Sequence, residues 1–365
     1  MINIFIIAGA RPNFMKIAPI IREFQKHSDK ISFKLIHTGQ HFDTNMSGSF
    51  FDELGIPTPD INLEIHGGSV SEQIGKVMIA LDPLFREEKP DYILVVGDVN
   101  ATIAGALAAQ HNQIRVIHVE AGLRSFDMSM PEEINRIVTD RLSYKLFVTE
   151  QAGVDNLNKD GIVDGVHHVG NVMIDTLVYQ LPIIKKKTTA KDMGLLGRDY
   201  ALLTIHRPVN VDTEENLRNL MMHLRKLSEK ILLVFPLHPR TRANIEKYQL
   251  GHLFETPNII TTEPLGYLDF MSVLTHAKCI LTDSGGIQEE STYLQIPCLT
   301  MRENTERPIT CEIGSNTMVG TDFGKIEKYL DDIIAGKYKK GEIPQLWDGK
   351  TAERIIKLIL TNNIS

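Results

Sequence analysis

The sequence predicts an α/β protein built as two successive doubly wound domains, and three observations predict it. Short β-branched runs alternate with amphipathic stretches along the whole chain, the pattern of parallel strands joined by crossover helices. The strand runs are continuously apolar rather than alternating, so each sheet is buried on both faces. The pattern also restarts after a basic, glycine-containing stretch (Lys185-Lys186-Lys187 through Gly197), and 365 residues exceed one core of ordinary size.

In order along the chain, the first half offers strands at 2–8, 33–37, 91–96, 114–119 and 144–149. The second half offers strands at 200–205, 231–237, 258–262, 279–282 and 297–301. Between them, apolar residues at helical spacing predict helices at 14–27, 69–88, 101–111, 133–142, 213–229, 267–277 and 286–295. The segment from Asp348 to Leu360 reads as one amphipathic helix after a linker around Pro344. In such sheets ligands bind beyond the carboxyl ends of the strands, and with two domains the natural place is a cleft facing both.

Composition narrows the function. Hydrophobic content of 42% and charged content of 23% are those of a globular chain, and the net charge of −7 is spread without basic blocks. That argues against a nucleic-acid partner. The apolar stretch from Met1 to Gly9 has no basic residue before Arg11 and is short for a leader, and no run is long enough to span a membrane, so a cytoplasmic protein is expected. Three cysteines (Cys279, Cys298 and Cys311) form no CxxC and read as small buried hydrophobes.

The polar residues immediately after each strand form the candidate site. After the first strand, Gly9-Ala10-Arg11-Pro12-Asn13-Phe14-Met15-Lys16 puts Arg11 at a helix N-terminus, where an anion is favoured, with Lys16 about a turn on. The competing reading is an exposed arginine and a lysine lying along an ordinary helix. Asp98 follows 91–96 and Glu120 ends 114–119, so two carboxylates share one sheet edge and suit acid–base work. Helix capping by Asp98 or Asn100, and a Glu120–Arg124 ion pair, compete with that. Ser129-x-x-Glu132 matches a capping box, which makes Glu132 structural on spacing alone.

In the second half, His206 ends one strand and His238-Pro239-Arg240 follows another. A histidine joined by arginine there suits a diphosphate or oxyanion, and no metal-ligand spacing accompanies either, so no metal and no cofactor is expected. The strongest local signal is Thr282-Asp283-Ser284-Gly285-Gly286-Ile287-Gln288-Glu289-Glu290. A strand end, two glycines and a new helix make an anion cradle, and Glu290 is placed to accept from a ribose diol. The alternative is a Ser-capped helix with glycines for packing. The charged loop from Arg302 to Pro308 follows the next strand.

Taken together and in order, GARPNFMK, TGQHFDTNMS, GDVNAT, VEAGLRS, MPEEINR, HRPVN, DSGGIQEE, MRENTERP and DGKTAERI resemble the non-hydrolysing UDP-N-acetylglucosamine 2-epimerases over the whole chain. The resemblance implies a glycosyltransferase-B-like fold of two Rossmann-like domains, 1–170 with the terminal helix 348–365 crossing back to it, and 171–347. It implies that Arg11, Lys16, Asp98, Glu120, Glu132 and His206 serve the reaction. It further implies that Ser284, Gly285, Gly286, Glu290 and Arg307 hold UDP, and that Phe270 lies beside the uracil unless it is only packed. It reverses the structural reading of Glu132. The expected reaction interconverts UDP-GlcNAc and UDP-ManNAc through elimination of UDP to 2-acetamidoglucal and re-addition, supplying amino sugars for surface polysaccharide. A homodimer is expected.

Other features resemble particular subgroups. TGQHFDTNMS and Phe50-Phe51-Asp52-Glu53-Leu54-Gly55-Ile56-Pro57 are similar to enzymes acting on UDP-2,3-diacetamido-glucuronic acid. Bacterial relatives hold a second UDP-GlcNAc as activator; here Gln40, His41 and His238 are the candidates for such a site. The stretch Ile65 to Gln73 lacks the arginine those relatives use, and Asp43 stands where they often have glutamine. A hydrolysing epimerase, a glycosyltransferase of the same fold and a non-catalytic nucleotide-sugar sensor are the competing readings.

Overall fold

The computed structural model describes residues 1–39 and 48–361, and these divide into two compact units, 1–176 with 345–361, and 177–344. The first unit runs β1 (Ile2–Ala8), α1 (Arg11–Lys26), β2 (Ile31–His37), α2 (Gly48–Leu54), β3 (Ile61–Asn62), α3 (Val70–Glu88), β4 (Tyr92–Val96) and α4 (Asn100–His111). It continues with β5 (Arg115–Ala121), α5 (Pro131–Leu142), β6 (Lys145–Val148), α6 (Gln151–Lys159), β7 (Val166–His168) and α7 (Val172–Ile184), which leads into the second unit. All pairings are parallel, in the order β3-β2-β1-β4-β5-β6-β7. The order reverses between the paired strands β1 and β4, so the connections leaving their carboxyl ends run to opposite sides and open a crevice there.

The second unit repeats the plan. After α8 (Thr189–Asp192) come β8 (Tyr200–Thr204), α9 (Pro208–Val211), α10 (Glu214–Leu227), β9 (Leu232–Pro236), α11 (Pro239–Lys247) and β10 (Ile259–Thr262). Then follow α12 (Tyr267–Leu274), β11 (Cys279–Thr282), α13 (Gly285–Tyr293), β12 (Cys298–Thr300), α14 (Pro308–Glu312), β13 (Asn316–Met318) and α15 (Phe323–Ile334). Its parallel sheet has the order β10-β9-β8-β11-β12-β13, with the reversal between β8 and β11.

Burial explains the apolar strands. Ile4, Phe5, Ile6, Ile93, Leu94 and Val95 are fully buried, because helices cover both faces. Helix α4 lies close on the sheet through its small residues: a Cβ on Gly105 would stand 3.1 Å from Val95 Cγ1 and 3.3 Å from Ile7 Cγ1. The second core is built from Leu203, Ile205, Leu217, Met221, Leu224 and Phe235. Cys279 and Cys298 open β11 and β12 in full burial, which pushes their thiols up to about 12 and about 11. They behave as the small hydrophobes the sequence suggests.

The terminal helix α16 (Thr351–Thr361) packs on α1, burying Ile355, Ile356 and Ile359. Its first amides are satisfied from a distance: Asp175 on α7 accepts from Thr351 N at 3.1 Å and Ala352 N at 2.7 Å. Ahead of it the single tryptophan, Trp347, is buried and donates Nε1 to the Thr149 carbonyl at 3.2 Å. Among the described residues no helix is long and apolar enough to cross a membrane.

Candidate active site

In the first unit the turn after β1 is shaped by a buried side chain. Asn13 Oδ1 accepts from Gly9 N (3.1 Å) and Ala10 N (3.0 Å), while its Nδ2 donates to the Val96 carbonyl at 3.3 Å. This ties the ends of β1 and β4 together and starts α1 at Arg11, three residues earlier than its apolar periodicity predicts. The Arg11 guanidinium lies 4.9 Å from the Phe50 ring centroid. A turn further on, the Lys16 ammonium pairs with Glu120 Oε2.

Glu120 is held unusually. It sits in a bulge of β5 between Val119 and Ala121, at φ +69°, with 2% of its surface exposed. A non-glycine residue in the left-handed region costs about 1–3 kcal/mol and persists where surroundings fix it. Here the bulge turns a side chain of the strand toward Lys16. Gly97, at φ +67°, makes room for this pair: a Cβ there would be 3.0 Å from Lys16 Nζ and 3.4 Å from Glu120 Oε2. The Glu120–Arg124 pair weighed from sequence does not form; Arg124 goes to Asp140 (2.7 Å) and Asp160 (2.8 Å).

Asp98 is no helix cap either. Helix α4 has Val99 at its N-cap with no side-chain cap, and Asn100 bonds Gln73 instead. The Asp98 carboxylate takes Arg136 Nη2 at 2.7 Å and Nε at 3.0 Å, and its carbonyl takes Asn135 Nδ2 at 2.8 Å. The capping box at Ser129 and Glu132 is also absent. The N-cap of α5 is Met130 without a side-chain cap, and Ser129 Oγ bonds Asp127. Glu133 takes the structural part, accepting from the amides of Ser125 (2.8 Å) and Phe126 (2.9 Å), because the loop folds back over the helix start. Glu132 is left exposed on the first turn, beside Asp98's partners.

Beneath these groups lies a network that spacing alone did not reveal. His118 Nδ1 is 2.7 Å from Asp140 Oδ1 and its Nε2 is 2.9 Å from the Gly97 carbonyl, both side chains fully buried. Asp140 also accepts from Gly122 N at 3.2 Å, so the backbones next to Asp98 and Glu120 share one anchor.

In the second unit Asp283, fully buried at the end of β11, organises the end of β8. It accepts from His206 N (2.9 Å), Arg207 N (2.8 Å) and Asn210 Nδ2 (2.9 Å). The His206 ring stacks on His238, with centroids 4.9 Å apart, and stands 3.2 Å from Asp283 Oδ1 without hydrogen-bond geometry. His238 caps α11 by accepting Arg240 N at 3.2 Å. Its pKa is held below the ordinary histidine value by burial, then by His206.

Ser284 is the N-cap of α13 by backbone only, leaving its hydroxyl unused as a cap; Gly285 and Gly286 are the first helical residues. Neither glycine has positive φ, and among the described residues a Cβ on Gly286 would meet no atom within 4 Å outside its own helical turn. Neither backbone strain nor packing within the protein accounts for glycine there. Glu290 is buried a turn on, facing the Tyr267 hydroxyl; burial pushes its carboxyl up to about 8, against the lowering effect of Tyr267. Arg307 pairs with Glu289, while Arg302 is engaged by Glu306 at 2.7 and 3.0 Å. Phe270 lies half-buried on the first turn of α12.

The first unit thus gathers Arg11, Lys16, Asp98, Glu120 and Glu132 on one sheet edge, and the second gathers His206, His238, Ser284, Gly285, Gly286 and Glu290 on another. Gln40 and His41 lie outside the described residues. Sequence reasoning missed Asn13, His118, Glu133, Arg136, Asp140 and Tyr267 as supporting groups. Asp283 was visible only as part of the glycine motif.

The family model described as UDP-N-acetylglucosamine 2-epimerase matches residues 22–360. The UDP-N-acetylglucosamine 2-epimerase of Methanocaldococcus jannaschii is 41% identical over 361 residues, covering 97% of this chain and 98% of that protein. The structure of that archaeal enzyme in complex with UDP-GlcNAc and UDP superposes with a TM-score of 0.87 over 98% of this chain and 99% of that one, at 40% identity. A UDP-2,3-diacetamido-2,3-dideoxy-D-glucuronate 2-epimerase of Pseudomonas aeruginosa is 41% identical over 325 residues, 87% of this chain and 88% of that protein. A lipopolysaccharide outer core galactosyltransferase, 13% identical, shares the fold alone, with a TM-score of 0.56 over 99% of each chain. Each unit of this glycosyltransferase-B-like architecture carries one of the two strand-end clusters, and the chain belongs to the UDP-N-acetylglucosamine 2-epimerase family.

Proposed function

We propose that this protein interconverts UDP-GlcNAc and UDP-ManNAc by elimination and re-addition of UDP. The observation that carries the reading is the set of carboxylates on one strand edge: Glu120 strained in its bulge beside Lys16, Asp98 fixed by α5, and Glu132 exposed on that helix. A glycosyltransferase has no use for three such groups.

The hydrogen on carbon 2 of an intact sugar is not acidic. Breaking the bond from carbon 1 to the diphosphate, with the electron pair leaving on UDP, creates positive charge that acidifies it. Loss of that proton to a carboxylate gives 2-acetamidoglucal. Delivery of a proton to the other face and re-addition of UDP give the epimer. Each demand has a matching group. Departing UDP is stabilised by the α13 N-terminus at Ser284, Gly285 and Gly286, by Arg307, and by His206. Glu290 takes the ribose hydroxyls, and Phe270 lies by the uracil. Glu120 stabilises the developing positive charge, with Arg11 and Lys16 balancing the local field. Asp98 and Glu132 exchange the carbon 2 proton on opposite faces. In this reading the first unit serves the sugar and the second serves UDP.

A second substrate is favoured by a specific observation: identity to the diacetamido-glucuronate enzyme equals that to the archaeal UDP-GlcNAc enzyme, 41% in each case. Chromatography of nucleotide sugars after incubation with each substrate decides. Formation of UDP-ManNAc without free UDP supports the main reading, and turnover of the uronate alone replaces it. Free ManNAc with UDP would mean hydrolysis. A UDP-sugar substrate supports a cytoplasmic location for the enzyme. A homodimer belongs to the same reading, and light scattering tests it: a particle of twice the chain mass supports it and a monomer replaces it.

A further inference from the structure

One helix grips Asp98 at two points. Asn135 Nδ2 donates to its carbonyl at 2.8 Å, and Arg136 directs Nη2 (2.7 Å) and Nε (3.0 Å) to its Oδ2. The grip is braced from behind. Arg136 Nη1 donates to Glu133 Oε2 at 2.6 Å, and Glu133 is itself fixed by the Ser125 amide and hydroxyl and the Phe126 amide. Burial grades outward along this chain of contacts: Glu133 is 1% exposed, Arg136 is 4% exposed, and the Asp98 side chain is 24% exposed. The anchor is therefore internal, and the carboxylate it holds is partly exposed. Glu132, exposed, directly precedes Glu133 on the same helix.

Inversion requires one group to remove a proton and another to deliver one on the opposite face. Their separation must stay fixed while the sugar changes shape between them. A misplacement of about 1 Å costs about 100-fold in rate. Helix α5 carries one of these groups, Glu132, and holds the other, Asp98. We propose that Arg136 is a positioning residue: its fork sets the spacing of Asp98 and Glu132 and leaves Asp98 Oδ1 as the oxygen that exchanges the carbon 2 proton. This rests on the epimerase reading above. A planar guanidinium with three directed N–H contacts to two carboxylates does this; a lysine ammonium reaches one carboxylate at a time.

The test is Arg136→Lys, measured beside the wild-type enzyme with UDP-GlcNAc and with the diacetamido uronate. The expected result is a kcat about 100-fold lower with little change in KM. A larger share of turnovers should escape as free UDP and 2-acetamidoglucal, because re-protonation is mistimed. Asn135→Ala, which removes only the carbonyl tether, should show the same escape with a smaller loss. A purely structural arginine would instead lower the melting temperature and leave the product partition unchanged. Wild-type kcat and partition in Arg136→Lys would overturn the proposal. If the wild-type enzyme turns over neither substrate, the function reading fails, and amide hydrogen exchange still judges the clamp. Exchange at Ser125 and Phe126, whose amides donate to the Glu133 carboxylate that Arg136 braces, should accelerate in Arg136→Lys, and unchanged exchange would overturn it.

Discussion

His206 and His238 stack with ring centroids 4.9 Å apart and planes inclined by 28°, one at the end of β8 and the other at the end of β9. Burial, His206 and Arg240 all disfavour the charged form of His238, with Asp283 opposing them. The folded chain therefore binds fewer protons at His238 than the unfolded chain does. Stability from this source is complete above the ordinary histidine value of about 6.5 and is lost as pH falls below it. His238→Phe keeps a ring in the stack without the titration. Thermal denaturation should show a shallower loss of melting temperature between neutral and mildly acidic pH in the variant, and parallel curves would refute the coupling.

Glu290 titrates with the opposite sign. Burial raises its carboxyl to about 8, so the folded chain holds a proton that the unfolded chain has lost, and stability falls as pH rises from the ordinary glutamate range toward that value. Glu290→Gln should raise the melting temperature of the ligand-free protein at alkaline pH, with the gain shrinking toward acidic pH. The same substitution removes an acceptor for ribose hydroxyls. In the wild-type protein UDP binding should expel the proton, which calorimetry in buffers of different ionisation enthalpy detects. Binding with no proton release would show that Glu290 stays protonated against the ribose.

Gly286 offers a separation of folding from binding. Among the described residues a Cβ there meets no atom within 4 Å outside its own turn and φ is not positive, so Gly286→Ala should fold with an unchanged or slightly higher melting temperature. UDP affinity should nevertheless fall about 10-fold or more, since a methyl group would stand where a backbone amide approaches the diphosphate. Undiminished UDP affinity would remove α13 from the proposed site.

Asp175 and Trp347 report on the terminal helix. Asp175 accepts from Thr351 N and Ala352 N, and its own carboxyl is pushed up to about 6 by burial. Asp175→Ala should cost about 1–3 kcal/mol by leaving buried amides unpaired. Because Trp347 is the single tryptophan and is buried, loosening of α16 should appear as a red shift of its fluorescence. An unshifted spectrum at equal stability would mean another contact holds the helix.

The elements legible in sequence were those with enough residues to show a period. The apolar runs 2–8 and 279–282 coincide with β1 and β11, and the three-residue β12 shows through the longer run 297–301 around it, whereas β3, β7 and β13 have only two or three residues and no such run. Strand ends identified the candidate residues because parallel sheets expose that edge. What failed were inferences from local spacing about polar partners. Ser129 and Glu132 have capping-box spacing, yet the loop at Ser125 and Phe126 delivers its amides to Glu133 instead. His118 and Asp140 are 22 residues apart and meet only once β5 and α5 have packed.

Inversion at carbon 2 through loss and return of its proton leaves a signature in the proton NMR spectrum of UDP-GlcNAc incubated with the enzyme in D₂O. The expected result is UDP-ManNAc carrying deuterium at carbon 2, exchange into the recovered UDP-GlcNAc, almost no free UDP, and loss of exchange in Asp98→Asn. UDP-ManNAc that keeps its original hydrogen, or full exchange in Asp98→Asn, would contradict it.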